Sequence, residues 1–340
     1  MPSPFPNLPR SQRGAVRCLS LDSAALRDNP WRDPSLRDLW VYTPPGWDGI
    51  ERLPAVMVLA GFAGTGEGML SRSLTELSLA SRIDHLIAQG CPPFIAVMPD
   101  VMTSLGGSQF LDSPAIGAYE TYLTGEVMAA VDAGLQTSGR WGVLGRSSGG
   151  FGALSLAMSH PGRFEAVCSH AGDMGFDICY LADIPGGLAA IREAGGPGPL
   201  VEKFWQRRRP SGGWFSALNL LCMSAAYSPD VDAPDFPARL PVDWRTGEVD
   251  FEVFGSWRRH DPIVRVEGAA AREALGGLSL LLLDAGARDE HHLQLGARRF
   301  TSKLSSLGID HEYEEFDGGH RGTSWRLDTS LPRLARALTG

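Results

Sequence analysis

An α/β fold with a mostly parallel central sheet, covered by helices on both faces, is predicted by three features of this 340-residue chain. Apolar runs of strand length recur along it, and segments with apolar residues at helical spacing separate most of them. One of these runs passes straight into a glycine-fenced serine pair, "GVLGRSSGG" (142–150). In sheets of this kind ligands gather at the carboxyl ends of the strands.

The elements follow in order. Extended segments near Val16–Leu21 and Leu39–Tyr42 open the sheet, and "TPPGW" stops the second. "AVMVLAG" (55–61), "FIAVMPD" (94–100), "RWGVLG" (140–145), "EAVCSHAG" (165–172) and "LSLLLLDAG" (278–286) read as buried parallel strands, and His311–Phe316 as a last, alternating one. Helices are expected over 71–90, over 117–135 despite Gly125, after the serine pair until His160-Pro161-Gly162, and over 291–308. The alternation breaks over 173–265, a Gly- and Pro-rich span with Trp205, Trp214, Trp244 and Trp257. That span is read as a cap-like insertion over the active edge, helical over 187–194 and 199–207, within one domain of residues 15–340.

Composition narrows the functional classes. With 43% hydrophobic and 21% charged residues the chain can bury a full core, and a net charge of −8 offers no basic field to a phosphate backbone. Nucleic acid is therefore not expected as a partner. The longest apolar runs fall far short of the roughly 20 residues of a membrane-spanning helix, so no membrane partner is expected either. Prolines in "MPSPFPNLPRSQRG" suit an extended tail over residues 1–14 better than a signal peptide, which predicts a cytoplasmic location. Five widely spaced cysteines (Cys18, Cys91, Cys168, Cys179, Cys222) fit reduced thiols rather than disulfides or a zinc site. The oligomeric state stays open, a homo-oligomer included.

Gly145-Arg146-Ser147-Ser148-Gly149 matches G-x-S-x-G, with a strand before it and a helix after it as the motif requires. The reason for the glycines is steric. The serine sits on a sharp, strained turn, and side chains two residues either way would collide with the neighbouring backbone. The frame selects Ser147 over Ser148, whose flanking positions would be Arg146 and Gly150.

A serine hydroxyl attacks at neutral pH only with a base beside it, normally a histidine oriented by a carboxylate. The chain order serine, acid, histidine leaves His260, His291, His292, His311 and His320 as candidates. His320 stands in the loop after the last strand and is chosen as base. For the acid, Asp289 in the loop after "LSLLLLD" is the first choice and Asp284 at the strand end the second; Asp284 suits equally the role of holding the loop through backbone amides. His291 and His292 read as solvated residues at a helix start. The oxyanion of acyl transfer needs two backbone N–H donors, one from the residue after the nucleophile, Ser148, and one from the loop "GFAGTGEG", where Phe62 is preferred with Ala63 as its neighbour. That loop lacks both the Lys-Ser/Thr ending of a P-loop and the G-x-G-x-x-G spacing of a dinucleotide site.

At these residues the chain resembles the esterase family of α/β-hydrolases that includes esterase D (S-formylglutathione hydrolase), feruloyl esterases, enterochelin esterase-like proteins and the mycolyltransferases. "RDLWVYTPPGW", "VMVLAGFAG", "VMPD", "GRSSGGFGALSLAMSHPGRFEAV", "DAGARDE" and "GGHRGTSW" carry the resemblance over most of the chain. Many members have Met in place of Ser148 and His-Gly where this chain has Ala60-Gly61, and its 173–265 span is longer and richer in Trp than in a compact member. The resemblance implies an α/β-hydrolase fold, Ser147, Asp289 and His320 as nucleophile, acid and base, the amides of Phe62 and Ser148 as the oxyanion hole, a small-molecule ester as substrate, and no metal or organic cofactor. Acyl transfer to an alcohol or sugar would use the same residues; a non-catalytic binding protein of this fold would usually have lost the Ser or the His. His170, Asp100, Trp205, Trp214 and Trp257 are pocket candidates, although buried aromatics also serve as packing under long loops. Arg207-Arg208-Arg209 reads as a solvated charge run.

Overall fold

The computed structural model describes residues 8–73 and 76–340. Residues 1–7 of the expected tail, and 74–75 within the first expected helix, lie outside the described residues. Eight strands form the central sheet: β1 (Ala15–Asp22), β2 (Leu36–Thr43), β3 (Ala55–Leu59), β4 (Ile95–Pro99), β5 (Trp141–Arg146), β6 (Ala166–His170), β7 (Leu280–Gly286) and β8 (Glu312–Phe316). Their spatial order is β1-β2-β4-β3-β5-β6-β7-β8. β2 pairs antiparallel with both neighbours, and every pairing from β4 to β8 is parallel.

The helices of eight residues or more are α1 (Leu79–Ala88), α2 (Met128–Leu135), α3 (Ser148–Ser159), α4 (Ile184–Ala194), α5 (Pro197–Gln206), α6 (Gly212–Tyr227), α7 (Phe251–Arg258), α8 (Ala269–Gly276), α9 (Leu293–Ser306) and α10 (Leu327–Thr339). Gly125, inside the expected second helix, falls in a π-helical turn, Tyr122–Val127, that leads into α2.

Strand alternation explains the layers. Side chains of one parity, among them Met57, Leu59, Val97, Val143, Val167, Leu281 and Leu283, join the core under α3 and α9. Those of the other parity, Val56, Val58, Ala96, Met98, Leu144, Cys168 and Leu282, pack with Ile83 of α1 and Leu331, Leu334 and Leu338 of α10. Because both faces are covered, the inner strands β3 to β6 are apolar and buried along nearly their whole length.

The 173–265 span is far more helical than expected, and its largest element, α6, is missing from the sequence reading. Trp214, Leu218, Leu221, Met223 and Ala225 bury α6 on nearly all sides, so its sequence shows no polar stripe and no helical period. Trp257, Leu218 and Leu221 belong to the same continuous apolar cluster as the sheet residues Met57 and Val143. Among the described residues no helix is long and apolar enough to cross a membrane. Four of the cysteine thiols are buried, Cys18 is exposed, and all five are free.

Candidate active site

The β5–α3 junction places Ser147 at φ 58°, ψ −128°, a conformation few L-residues tolerate. It persists because the surroundings leave the backbone no alternative. A Cβ at Gly145 would lie 2.2 Å from the Gly149 carbonyl oxygen, and one at Gly149 would lie 2.3 Å from that of Leu59. The Ser147 amide donates to the His170 carbonyl at 2.9 Å, and its own carbonyl accepts from Phe151 at 3.0 Å. Ser147 is thereby held on the wall of a cavity of about 670 Å³ shared with Ser148, Gly61, Phe62 and His320.

His320 follows β8 in a loop fixed at both sides. Its amide donates to the Glu290 carboxylate, and its carbonyl accepts from the guanidinium of Arg146, the residue before Ser147. The ring, mostly buried, meets Asp289 at 2.8 Å between Nδ1 and Oδ2, which leaves Nε2 as the nitrogen to serve the cavity. Asp289 is buried in the turn after β7; its amide donates to Gly286, and its Oδ1 accepts from the His291 amide at 2.9 Å. Burial pushes the Asp289 carboxyl up, but the hydrogen bond and charge of His320 and the His291 amide outweigh it and hold the group below the usual carboxylate range.

Asp284, the second choice for the acid, lies elsewhere. Its Oδ2 accepts from His170 Nδ1 at 2.9 Å and from Arg326 Nε at 2.8 Å, in a buried cluster completed by Ser330 on the other His170 nitrogen. Against the upward push of burial, His170 and Arg326 keep this carboxyl low. The sequence reading allowed Asp284 to hold its loop through backbone amides; its side chain binds other side chains instead.

On the oxyanion side the loop after β3 bends beside the serine. A Cβ at Gly61 would stand 3.2 Å from the Arg146 carbonyl and 3.5 Å from Ser147 Cβ. The amides of Ala63 and Gly64 are spent on the carbonyls of Gly106 (2.8 Å) and Gly61 (2.9 Å). Phe62 is therefore favoured over its neighbour as a donor into the cavity, and Ser148, first residue of α3, has an amide with no intrahelical acceptor.

The side chains of the remaining pocket candidates do not line the cavity at Ser147. His170 is turned to the α10 side, toward Asp284 and Ser330. Asp100 pairs with Arg37 at 3.2 Å. The indoles find partners of their own: Trp205 donates to the Ser104 carbonyl, Trp214 carries Arg207 stacked 3.6 Å over its ring, and fully buried Trp257 donates to Ser228 and packs on Tyr180 and Tyr227. The cavity wall contributed by the 173–265 span comes instead from Asp173, Tyr180, Asp183, Phe215, Ser216 and Asn219.

His291, expected as a solvated residue, is part of the wall. Its Nδ1 meets Asp183 at 3.0 Å, and its ring stands edge-on to His320 with centroids 4.9 Å apart. The Asp183 hydrogen bond raises its pKa against a smaller opposing effect of burial. Its place two residues after Asp289 was the available signal. Among the described residues no group of three or more His, Cys, Asp or Glu is placed to hold a metal ion.

A mostly parallel eight-stranded sheet with a serine on a strained strand-to-helix turn and an Asp–His pair from later loops is an α/β-hydrolase fold. The family model described as "Putative esterase" matches residues 35–331, and the chain belongs to that family. It is 25% identical over 267 residues to the esterase Rv1288 of Mycobacterium tuberculosis, a match covering 73% of this chain and 47% of that protein, so the chain spans about half the length of that relative. Among solved structures it is similar to a ferulic acid esterase (TM-score 0.60, 18% identity, 97% of this chain and 100% of that one). It is also similar to an S-formylglutathione hydrolase from Agrobacterium tumefaciens (0.56, 17%, 98% of each) and to FphF, a fluorophosphonate-binding serine hydrolase of Staphylococcus aureus (0.59, 15%, 95% and 99%).

Proposed function

We propose that the chain hydrolyses small carboxylic esters through a covalent acyl-enzyme. Ser147 attacks the ester carbonyl, and His320 takes its proton on Nε2 and delivers it to the leaving alcohol. Asp289 fixes the imidazole tautomer and stabilises the imidazolium. The amides of Phe62 and Ser148 face the developing oxyanion. Water activated by the same histidine then releases the acid and restores Ser147. No step in this sequence calls on a metal or organic cofactor. The observation that carries the reading is the 2.8 Å Asp289–His320 contact on the cavity that also holds Ser147. Membership of an esterase family supports it.

The test is incubation with a fluorophosphonate probe and with short p-nitrophenyl esters, followed by mapping of the labelled peptide by mass spectrometry. Labelling at Ser147 with ester turnover is expected. Neither labelling nor turnover would favour a non-catalytic binding protein of the same fold.

A further inference from the structure

The cavity also carries a carboxyl group for which the proposed hydrolysis has no use. Asp173 stands in the loop after β6, drawn against the start of α3 at Gly172, where a Cβ would lie 2.3 Å from Ser169 Oγ and 2.9 Å from the Gly150 carbonyl carbon. The side chain is 5% exposed and lines the cavity beside Ser147. Its Oδ2 accepts from Ser148 Oγ at 3.0 Å and from the Tyr180 hydroxyl at 2.9 Å. Tyr180 is itself tied to Gln109 (3.2 Å) and to Tyr227 (3.3 Å), so the carboxyl is held by a buried network. Among the described residues both side-chain hydrogen bonds fall on one oxygen, which leaves Oδ1 for a ligand. Burial raises the pKa of this group, with the two hydroxyls and the nearby histidines opposing in part.

A carboxyl without a cation partner is costly to bury and is worth holding where a ligand repays the cost. The ligand's chemistry follows from the rest of the wall. Arg146 and Arg321 line the same cavity and offset the charges of Asp173 and Asp183, so the wall offers no net negative field to draw a cationic group. A neutral O–H donor needs no such field.

We propose that Asp173 is a specificity-determining residue whose carboxyl takes a hydrogen bond from a hydroxyl group on the ester substrate, close to the scissile bond. The proposal rests on Ser147 being the nucleophile. The experiment compares kcat/KM for ester pairs that differ only in hydroxyl versus methoxy. One pair carries the difference on the acyl side (hydroxyacetate and methoxyacetate p-nitrophenyl esters) and one on the alcohol side (an acetylated glycol and its methyl ether). The protein should favour the hydroxyl member of at least one pair by about tenfold, the scale of a hydrogen bond to a charged or strongly polar group. In Asp173→Asn the amide keeps an oxygen for Ser148 and Tyr180 and turns an N–H₂ donor to the substrate. The preference should then collapse toward unity, while steric differences between the members are unchanged. Tyr180→Phe, which removes one of the groups orienting the carboxyl, should lower the ratio by a smaller factor. Equal rates for both members of both pairs in the unsubstituted protein would overturn the proposal, as would a preference that survives intact in Asp173→Asn. Fluorophosphonate labelling of Ser147, run alongside, separates these outcomes from failure of the esterase reading itself.

Discussion

Asp289 and Asp284 stand five residues apart at the end of one strand, and each holds a different histidine: Asp289 meets His320 at 2.8 Å on the cavity, whereas Asp284 meets His170 at 2.9 Å beneath it. The two pairs look alike in distance and burial and differ in surroundings. The His320 pair shares a cavity with Ser147. The His170 pair is bound by Arg326 and Ser330 and borders a different cavity, which Ser147 does not line.

Substitution should therefore separate rate from stability. Asp289→Asn is expected to lower kcat by about 10⁴-fold, as when the tautomer of a catalytic histidine is lost, with a smaller fall in melting temperature than Asp284→Asn, whose carboxyl also holds Arg326. Asp284→Asn should keep most of the rate and cost about 3 kcal/mol of stability, as breaking one partner out of a buried charged cluster does. Ester kinetics and thermal melting of the two variants check both halves.

The frame of the motif gives a second expectation. Ser147→Ala should abolish p-nitrophenyl ester turnover, because no other hydroxyl occupies the strained turn. Ser148→Ala keeps the backbone amide and should stay within about tenfold of the parent rate. The reverse ranking would reassign the nucleophile.

Stability at low pH should depend on Asp284 and Asp289. Both carboxyls are depressed in the folded state by their histidine partners, and Asp284 also by Arg326. Their contributions are fully present above the unfolded carboxylate value of about 4 and are lost as pH falls through the lower folded values. Melting temperature followed downward from pH 6 should hold to about pH 4 and then drop, and Asp284→Asn should flatten that drop.

His291 supplies a spectroscopic check on the cavity wall. Asp183 raises its pKa, so the pair contributes stability below the ordinary histidine value of about 6.5 and loses it as pH rises through the raised one. An NMR titration should show His291 above that ordinary value in the parent protein and returned toward it in Asp183→Asn. An unmoved titration would mean that the pair is not formed in solution.

The strands were legible because buried parallel strands are apolar runs bounded by glycine and proline: β3, β4, β6 and β7 fall within the segments expected for them, and β5 runs one residue beyond its own, to Arg146. The place of Ser147 on the strand-to-helix turn was legible for a related reason: G-x-S-x-G puts glycines at the two positions, Gly145 and Gly149, where a Cβ would collide with backbone. The acid remained open between two residues because one lies near the end of a strand and the other in the loop just after it, and only the turn Gly286–Asp289 decides which one reaches His320. The insertion was the least legible part. α6 is buried on nearly all sides, with only a short face at Phe215, Ser216 and Asn219 left to the cavity, and the tryptophans that suggested an aromatic pocket proved to be anchors, each with an indole partner of its own. The polar wall of Asp173, Asp183 and His291 comes from three separate stretches of chain, and no local pattern announces that they meet.

Ser147 at φ 58° stores conformational energy of roughly 1 to 3 kcal/mol that a glycine would not feel. Fold and chemistry thus pull in opposite directions at one residue. Ser147→Gly surrenders the hydroxyl, and although glycine loses more freedom on folding, the released strain should leave the inert protein as heat-resistant as its parent or more so. For a chain with no ester to cleave, glycine would be the more robust residue at this turn.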